Sequence, residues 1–341
     1  MSSRQAQGGA AAPGAALKRI GLGGITGNPV AIAVVLGFMA LLLAVPLTHN
    51  GYIETVFRNI LMYAAMAYGW NLIGGYTGYV SFGNVAFFGL GAYCSGILAA
   101  HGVSNLFAYV ALAMVVCATF AVVVGFPVLR LKGHYFGIAT LGVALAVADI
   151  IANLDVLGGS SGLALHQLDE AHFSTYYYAM WLVALGSMLG TYFIARSKLG
   201  YAFVAIRENE DAAASLGIAA TRYKITAWAI SGMMAGSAGA IFAPANGFID
   251  PSITFAVDSN VFPIVMTILG GSGTVAGPFI GSLLLAGANE LLQRFFVKAH
   301  TLFFGAMIVL IVLLLPRGLV WLFGLRGGVR AWVKSVQAYR A

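Results

Sequence analysis

The chain has 341 residues, of which 60% are hydrophobic and only 9% are charged, and its mean hydropathy is +0.89. Soluble domains carry about 25% charged residues, so this composition excludes a water-soluble globular protein and predicts a chain that faces lipid. The net charge of +7 does not indicate a nucleic-acid partner, because the basic residues are spread along the ends of apolar runs and form no patch.

Residues 1–28 are rich in glycine and alanine, and we expect a disordered cytoplasmic N-terminal tail there. Ten apolar runs follow, which predict an all-α polytopic membrane protein of about ten transmembrane helices, some short or broken. The last three runs are short for a span, so an eight-span arrangement with two re-entrant segments is an alternative. The predicted transmembrane domain covers residues 29–320, a basic cytoplasmic tail covers 321–341, and the ten runs are residues 29–47, 52–73, 80–100, 106–129, 135–154, 176–195, 225–243, 259–271, 278–292 and 302–315.

The distribution of basic residues predicts the orientation of these spans. If the N-terminus lies inside the cell and the ten spans alternate, the inside segments contain 15 of the 18 Lys and Arg residues. Cytoplasmic loops are enriched in Lys and Arg, so we expect both termini to be cytoplasmic.

The longest charged stretch between two predicted spans is residues 196–224, which we call the polar loop. It holds five of the 18 Lys and Arg residues and three of the 11 Asp and Glu residues. Residues 201–216 favour a short surface helix, and Gly217 is placed as its stop. Charges of both signs suit recognition by a protein surface, although a solvated loop without a partner is the plainer interpretation. The candidate docking residues for a motor subunit are Arg207, Glu208, Asn209, Glu210, Asp211 and Gly217.

The sequence contains none of the motifs that would indicate an enzyme. No Gly-Lys dipeptide occurs, so there is no P-loop, and the His residues show neither HExxH nor Cys/His ligand spacing. We therefore predict no catalytic residue, no cofactor and no metal in this chain. The cysteines Cys94 and Cys117 lie in apolar runs and are predicted to be buried thiols.

Charged residues within the predicted spans are few. Glu54 with Arg58, and Glu290 with Arg294, are four residues apart, and we expect each pair to form an ion pair near the outer end of its helix. The predicted middle of the membrane is otherwise free of charge, which counts against an ion-coupled carrier.

Two glycine-rich stretches are candidates for the wall of a translocation path. Residues 76–93 mix glycine with aromatic and small polar side chains, which suits a small, partly apolar solute, although an interfacial aromatic belt has the same composition. Residues 270–277 favour irregular backbone that can line a cavity, although close helix packing is the plainer interpretation. The candidate path residues are Asn84, Phe87, Phe88, Gly270, Gly271, Gly273 and Gly277.

Four stretches give the chain a resemblance to a known family. It resembles the LivM-type permease subunits of bacterial ATP-binding-cassette (ABC) importers for branched-chain amino acids. The chain departs from the common family pattern at Tyr79, Asn84 and His134. The matching stretches keep the family's order over most of residues 50–320, and they are GYTGYVSFGNVAFFGLGAY (75–93), RLKGHYFGIATLG (130–142), SKLGYAFVAIRENEDAAASLGI (197–218) with KITAWAISGMMAGSAGA (224–240), and LGGSGTVAGPFIGS (269–282) with LPRGL (315–319).

The resemblance implies a set of partners and a place in the cell. Such permeases lie in the bacterial cytoplasmic (inner) membrane beside a second, usually LivH-type, permease. Two cytoplasmic ATPase subunits carry the ATP and Mg, and an extracytoplasmic binding protein delivers the solute. The resemblance also implies that residues 201–217 couple the ATPases to the spans. The alternatives are a permease of the same class for urea, amides or sugars, an ion-coupled secondary carrier, and a membrane scaffold that transports nothing.

Overall fold

A computed structural model describes residues 29–103, 105–165, 173–295, 305 and 318–322. Helices dominate these residues, as the apolar runs predict. The first half contains α1 (Pro29–Leu42), α2 (Gly51–Trp70), α3 (Asn84–Ala100), α4 (Leu106–Val128), α5 (His134–Ala152) and α6 (Phe173–Ala195). The second half contains α7 (Lys198–Glu208), α8 (Glu210–Ser215), α9 (Ala220–Asn246), α10 (Pro251–Thr254), α11 (Val257–Gly270), α12 (Gly277–Phe295) and α13 (Leu319–Leu322).

Short irregular elements join these helices. A π-helical turn, Asn71–Tyr76, continues α2, and we call it the π turn. Turns of 3-10 helix occur at Val45–Thr48, Asp155–Leu157 and Gly159–Ser161. Two strands, β1 (Leu163–Ala164) and β2 (Phe248–Ile249), pair antiparallel with Leu163 opposite Ile249. The sequence did not predict this pair, because two residues are too few to show a strand periodicity.

Helix α9 runs through the centre of the bundle, and its backbone touches that of α3 at three glycines, Gly91, Gly236 and Gly239. A Cβ atom at Gly91 of α3 would lie 2.0 Å from the carbonyl oxygen of Gly236 on α9, and one at Gly239 would lie 2.0 Å from the carbonyl oxygen of Phe88. These distances are far shorter than a Cβ atom tolerates, so only glycine fits. Such small-residue seams let membrane helices approach closely, and the small face of α9 has this packing role.

Six of the described helical segments are long and apolar enough to cross a membrane. They are Pro29–Thr48, Leu106–Val128, His134–Ala152, Ser174–Ala195, Ala220–Asn246 and Pro251–Gly270. Helix α3 is apolar but shorter. Each of the first nine predicted runs coincides with a described helix, whereas the tenth, 302–315, lies outside the described residues except for residue 305. The tails 1–28 and 323–341 also lie outside them, and the count of about ten spans stays a prediction.

Neither expected ion pair is among the salt bridges formed between described side chains. Glu54 and Arg58 are both buried in α2, at 7% and 5% exposure, and Glu54 accepts a hydrogen bond from Ser174 Oγ at 3.2 Å. Glu290 accepts one from the Tyr52 hydroxyl at 2.8 Å. Hydroxyl donors from distant parts of the chain therefore occupy the carboxylates, which helical spacing alone cannot reveal.

Candidate functional site

The polar loop folds into two helices where the sequence predicted one. Asn209 separates α7 from α8 with an extended backbone (φ −164°, ψ 111°), and its Oδ1 accepts a hydrogen bond from Ala212 N at 2.9 Å. A side-chain acceptor of this kind satisfies a free N–H group of a first helical turn. At the other end, Gly217 adopts φ 85° and Ile218 N donates to Ala213 O at 3.1 Å, so the predicted stop at Gly217 is confirmed.

The charged residues of the polar loop face in opposite directions. Glu208 and Asp211 face away from the bundle, with side chains 65% and 88% exposed, and Asp211 pairs with Lys132 at 3.1 Å. Arg207 and Glu210 face the bundle, with side chains 37% and 19% exposed, and Arg207 also pairs through NH2 with Glu208 at 3.0 Å. The set that the sequence grouped as one docking surface thus divides into an outward pair and an inward pair.

Glu210 anchors the start of α8 to two other parts of the chain. Lys224 of α9, only 2% exposed, places Nζ 2.9 Å from Glu210 Oε1 and 4.5 Å from the centre of the Tyr79 ring. Tyr79 donates its hydroxyl proton to the other Glu210 oxygen. Partial burial acts to raise the pKa of Glu210, but the hydrogen bonds from Tyr79 and Lys224 outweigh it and lower the pKa. The carboxylate therefore stays charged and paired at neutral pH.

Arg207 extends from the end of α7 to the π turn. Its NH1 group donates to the carbonyl oxygen of Gly75 at 3.0 Å. A Cβ atom at Gly78 would lie 2.7 Å from Arg207 Cγ, and one at Gly273 would lie 2.9 Å from NH1. The arginine therefore fills a space that glycines from two distant stretches leave open.

The predicted turn at Gly270–Gly277 connects α11 to α12 beside this arginine, and we call residues 271–276 the glycine turn. Gly271 and Gly273 have φ values of 127° and 72°, which other residues rarely adopt. A Cβ atom at Gly270 would lie 1.8 Å from the carbonyl oxygen of Gly277. The glycines therefore bring the backbones of α11 and α12 into direct contact.

Sequence reasoning missed Asn71, the first residue of the π turn. Its side chain is fully buried, its Nδ2 donates to Thr274 O at 2.8 Å, and its Oδ1 accepts from Gly273 N at 2.7 Å. A buried amide satisfied on both sides holds the glycine turn against the π turn. The sequence did hold a signal for it: Asn71 is a polar residue in an apolar run, and two glycines, Gly74 and Gly75, end that run.

The structure places Asn84, Phe87 and Phe88 in the contact between α3 and α9, with exposures of 0%, 0% and 3%. The Phe87 ring packs edge-on against the ring of Trp228, 5.3 Å between centroids. Asn84 Oδ1 accepts a hydrogen bond from Ser231 Oγ at 3.2 Å, whereas its buried Nδ2 has no partner in the part of the chain that the structure describes. The three residues are neighbours on α3, and their side chains are buried by its packing against α9.

A cleft of about 750 Å³ lies between the polar loop, the stretch before α3 and the start of α5. Phe82 and Ile138 contribute apolar surface to its wall, and Arg207 and Glu210 contribute charge. Tyr79 and His134, two of the three positions that depart from the common family pattern, both line it. Within the described ranges, no group of three or more His, Cys, Asp or Glu side chains could hold a metal ion.

Comparison with known proteins gives the family. A family model described as the permease component of the branched-chain amino acid transport system matches residues 52–312. The chain belongs to this family. No solved structure matches it.

Curated members of the family cover most of the chain. The high-affinity branched-chain amino acid permease LivM of Salmonella typhimurium is 32% identical over 291 residues, which are 76% of this chain and 68% of that protein. LivH of the same organism is 24% identical over 298 residues, 79% of this chain and 95% of LivH. The autoinducer 2 import permease LsrC of Klebsiella pneumoniae is 28% identical over 207 residues, 55% of this chain and 60% of LsrC.

Proposed function

We propose that the chain is a transmembrane permease subunit of an ABC importer and forms part of the translocation path for branched-chain or related small amino acids. The family match over residues 52–312 carries this proposal, and the likeness to LivM over 76% of the chain supports it. The subunit itself catalyses no reaction in this scheme, since permeases of this kind provide the path and separate subunits hydrolyse ATP.

The partners follow from that division of labour. The chain pairs with a second permease, of the LivH type or a second copy, and two cytoplasmic ATPases that hold ATP and Mg power the pair. An extracytoplasmic binding protein delivers the solute. The lack of a P-loop in the sequence agrees with an external source of energy.

The outward side of the polar loop is the proposed docking surface for the ATPase. It presents exposed acidic groups at Glu208 and Asp211, and an apolar side chain, Leu216, that is 83% exposed. Exposed charges of this kind, with Lys132 beside Asp211, suit recognition by a protein surface. In this scheme Gly217 ends the docking helix, while Arg207, Asn209 and Glu210 hold the loop in place.

For the path itself, the proposed residues are Asn84, Phe87 and Phe88 together with the glycine turn and its flanking glycines. The unpartnered Nδ2 of Asn84 supports this, because a buried amide without a partner is uncommon and could bind a solute once α3 and α9 separate. The position of Gly273 beside Arg207 of the polar loop supports a role for the turn at the inner end of the path.

The proposed location is the bacterial inner membrane, with both termini and the polar loop cytoplasmic and about ten spans. The distribution of 15 of the 18 Lys and Arg residues supports this orientation.

A second candidate solute is a small polar molecule outside the amino acids. The likeness to LsrC, whose name gives it a different solute, supports this alternative. It also agrees with the two departures from the common pattern, Tyr79 and His134, that line the cleft beside the polar loop. Urea, short amides and sugars belong to the same group of alternatives.

Uptake by the purified complex tests the proposal. We expect proteoliposomes that contain the chain, its neighbouring permease and ATPases to import radiolabelled leucine, isoleucine or valine only with internal ATP and the binding protein. Uptake that persists without the ATPases and collapses with an uncoupler would instead identify an ion-coupled carrier. Normal uptake by a complex that lacks this chain would identify a scaffold. Import of autoinducer 2, urea or a sugar in place of the three amino acids would select the alternative solutes.

A further inference from the structure

Asn71 connects two parts of the chain that are about 200 residues apart. Among the described residues, its side-chain amide bonds to the backbone of the glycine turn, through Gly273 N and Thr274 O. A Cβ atom at Gly75 would lie 2.1 Å from Asn71 Oδ1 and 2.6 Å from Gly273 N. The π turn and the glycine turn are therefore in backbone contact around this one side chain.

Arg207 contacts the same two turns from the polar loop. It donates to the Gly75 carbonyl of the π turn at 3.0 Å, and a Cβ atom at Gly273 would lie 2.9 Å from its NH1 group. The guanidinium group therefore touches both turns at once. A movement of the end of α7 toward the bundle would press this group against the π turn and the glycine turn.

The glycine turn in turn belongs to a rigid hairpin. A Cβ atom at Gly281 of α12 would lie 1.7 Å from the carbonyl oxygen of Met266 on α11, so these two helices touch along their backbones. Closely packed backbones have little freedom to slide. We therefore expect α11 and α12 to move together whenever the glycine turn moves.

The π turn is the element between these two contacts. The π-helical geometry of this turn at the end of α2 is uncommon, and such turns are frequent at functional sites. Its first residue, Asn71, holds the glycine turn, and its fifth residue, Gly75, accepts the hydrogen bond from Arg207. The π turn thus contacts the polar loop through Gly75 and the α11–α12 hairpin through Asn71.

We propose that Arg207 and Asn71 are positioning residues that transmit the position of α7 through the π turn to the α11–α12 hairpin. The inference rests on the proposed function, in which a partner ATPase moves the polar loop. In that setting the pair converts a movement outside the spans into a movement of two helices within them. A purely structural role would instead require only that Asn71 satisfy two buried backbone groups.

Distances between spin labels separate these two roles. Labels are placed at exposed positions, Lys198 on α7 and Leu284 on α12, each paired with a reference label at Val115 on α4. Cys94 and Cys117 are replaced by alanine. In the complex with its ATPases we expect ATP binding to shift both distances. In Asn71→Ala the α7 distance should still shift, while the α12 shift falls to less than half.

Transport provides a second readout that a structural role would not change. The number of solute molecules imported per ATP should fall at least about fivefold in Asn71→Ala and in Arg207→Ala, the lower end of common coupling effects. Arg207→Lys keeps one donor for Gly75 and should recover part of the loss. The double variant should lose no more than either single variant, because both changes break one connection. Arg222→Ala, an exposed arginine of the same loop, should behave as the native chain.

The possible results test the roles of Arg207 and Asn71 separately from the proposed function. An unchanged α12 shift and an unchanged transport ratio in Asn71→Ala would overturn the inference and leave the proposed function standing. An ATP-independent α7 distance in the native complex would overturn both. If Asn71→Ala does not assemble, Arg207→Ala supplies the same comparison, because its side chain is partly exposed and lies at the edge of the fold.

Discussion

At the scale of residues, burial separates charges that look alike in the sequence. Glu208, Glu210 and Asp211 are near neighbours, yet only Glu210 has a buried lysine as its partner. The lowered pKa of Glu210 means that its contribution to stability is complete above the ordinary Glu range and is lost as the pH falls below that range through the lowered pKa of the folded state. The anchor between α8 and α9 is therefore intact at neutral pH.

Replacement of the buried lysine should destabilise the fold. We expect Lys224→Met to lower the free energy of unfolding by about 3 kcal/mol, because it leaves the partly buried Glu210 without its counter-charge. Unfolding in a denaturing detergent, followed by circular dichroism, measures this. The double variant Lys224→Met/Glu210→Gln should recover part of the loss, and Arg222→Met should cost under about 0.5 kcal/mol. Equal losses in the Lys224 and Arg222 variants would contradict the assignment of Lys224 as the anchor.

Reversal of the outward charges should impair the function of the assembled complex without affecting the fold of the subunit. Glu208→Lys combined with Asp211→Lys removes only exposed pairs, each worth about 0–1 kcal/mol, so the subunit should insert and unfold as the native chain does. If this surface docks the ATPase, solute-stimulated ATP hydrolysis in the assembled complex should fall about tenfold or more, since like-charge contacts at an interface cost several kcal/mol. If this variant kept the solute-stimulated ATP hydrolysis of the native complex, the outward face would not be the docking surface.

At the scale of elements, glycine decides how helices meet. The sequence showed glycines at short helical spacing but could not say whether they line a path or a seam. In the structure, Gly91, Gly236 and Gly239 lie where the backbones of α3 and α9 touch. The predicted single helix over 201–216 was wrong for a related reason: most of its residues favour helix, but Asn209 adopts an extended backbone and caps a second helix there.

A single added methyl group tests the seam. Gly91→Ala would place a Cβ atom 2.0 Å from a backbone oxygen of α9, which cannot move without displacing the helix. We expect a loss of about 3 kcal/mol, at the upper end of ordinary overpacking, measured by detergent unfolding. Gly142→Ala in α5, with open space around it, should be neutral or stabilise by about 0.5–1 kcal/mol. A neutral Gly91→Ala would show that α3 and α9 lie further apart than the structure has them.

At the scale of the whole molecule, the elements divide between the two ends of the bundle. The polar loop, the π turn and the glycine turn meet at one end. Helix α9 has 27 residues and is about 40 Å long, and it runs from the polar loop to the opposite end of the bundle. Strand β2 follows α9 there and pairs with β1, which belongs to the loop after α5. We propose that the end with the polar loop is cytoplasmic.

Labelling from each side of the membrane tests that orientation. Leu216 and Val156 are 83% and 90% exposed and lie at opposite ends of the bundle. In a cysteine-free background, an impermeant maleimide added to whole cells should label Val156→Cys and not Leu216→Cys. Inverted membrane vesicles should give the opposite result, because basic loops stay inside. Labelling of Leu216→Cys in intact cells would reverse the proposed topology.

The sequence by itself determined the class of the protein. Apolar runs and scarce charge dictate a helical membrane protein, because only helices satisfy their own backbone in lipid within one continuous segment. Four stretches in a fixed order identified the family, and a polar loop between spans marked the surface where a partner could bind. Each of these features is formed by residues that are close together in the sequence, so the sequence alone reveals it.

Only the tertiary structure decided which polar groups act on which. Asn71 and Gly273 are about 200 residues apart. No rule of sequence spacing predicts that the side-chain oxygen of Asn71 accepts a hydrogen bond from the backbone N–H of Gly273. The inward direction of Arg207 and Glu210 likewise depends on the glycines and the lysine that receive them. Burial and long-range contact are properties of the folded chain, which is why the connection from the polar loop to the α11–α12 hairpin became visible only there.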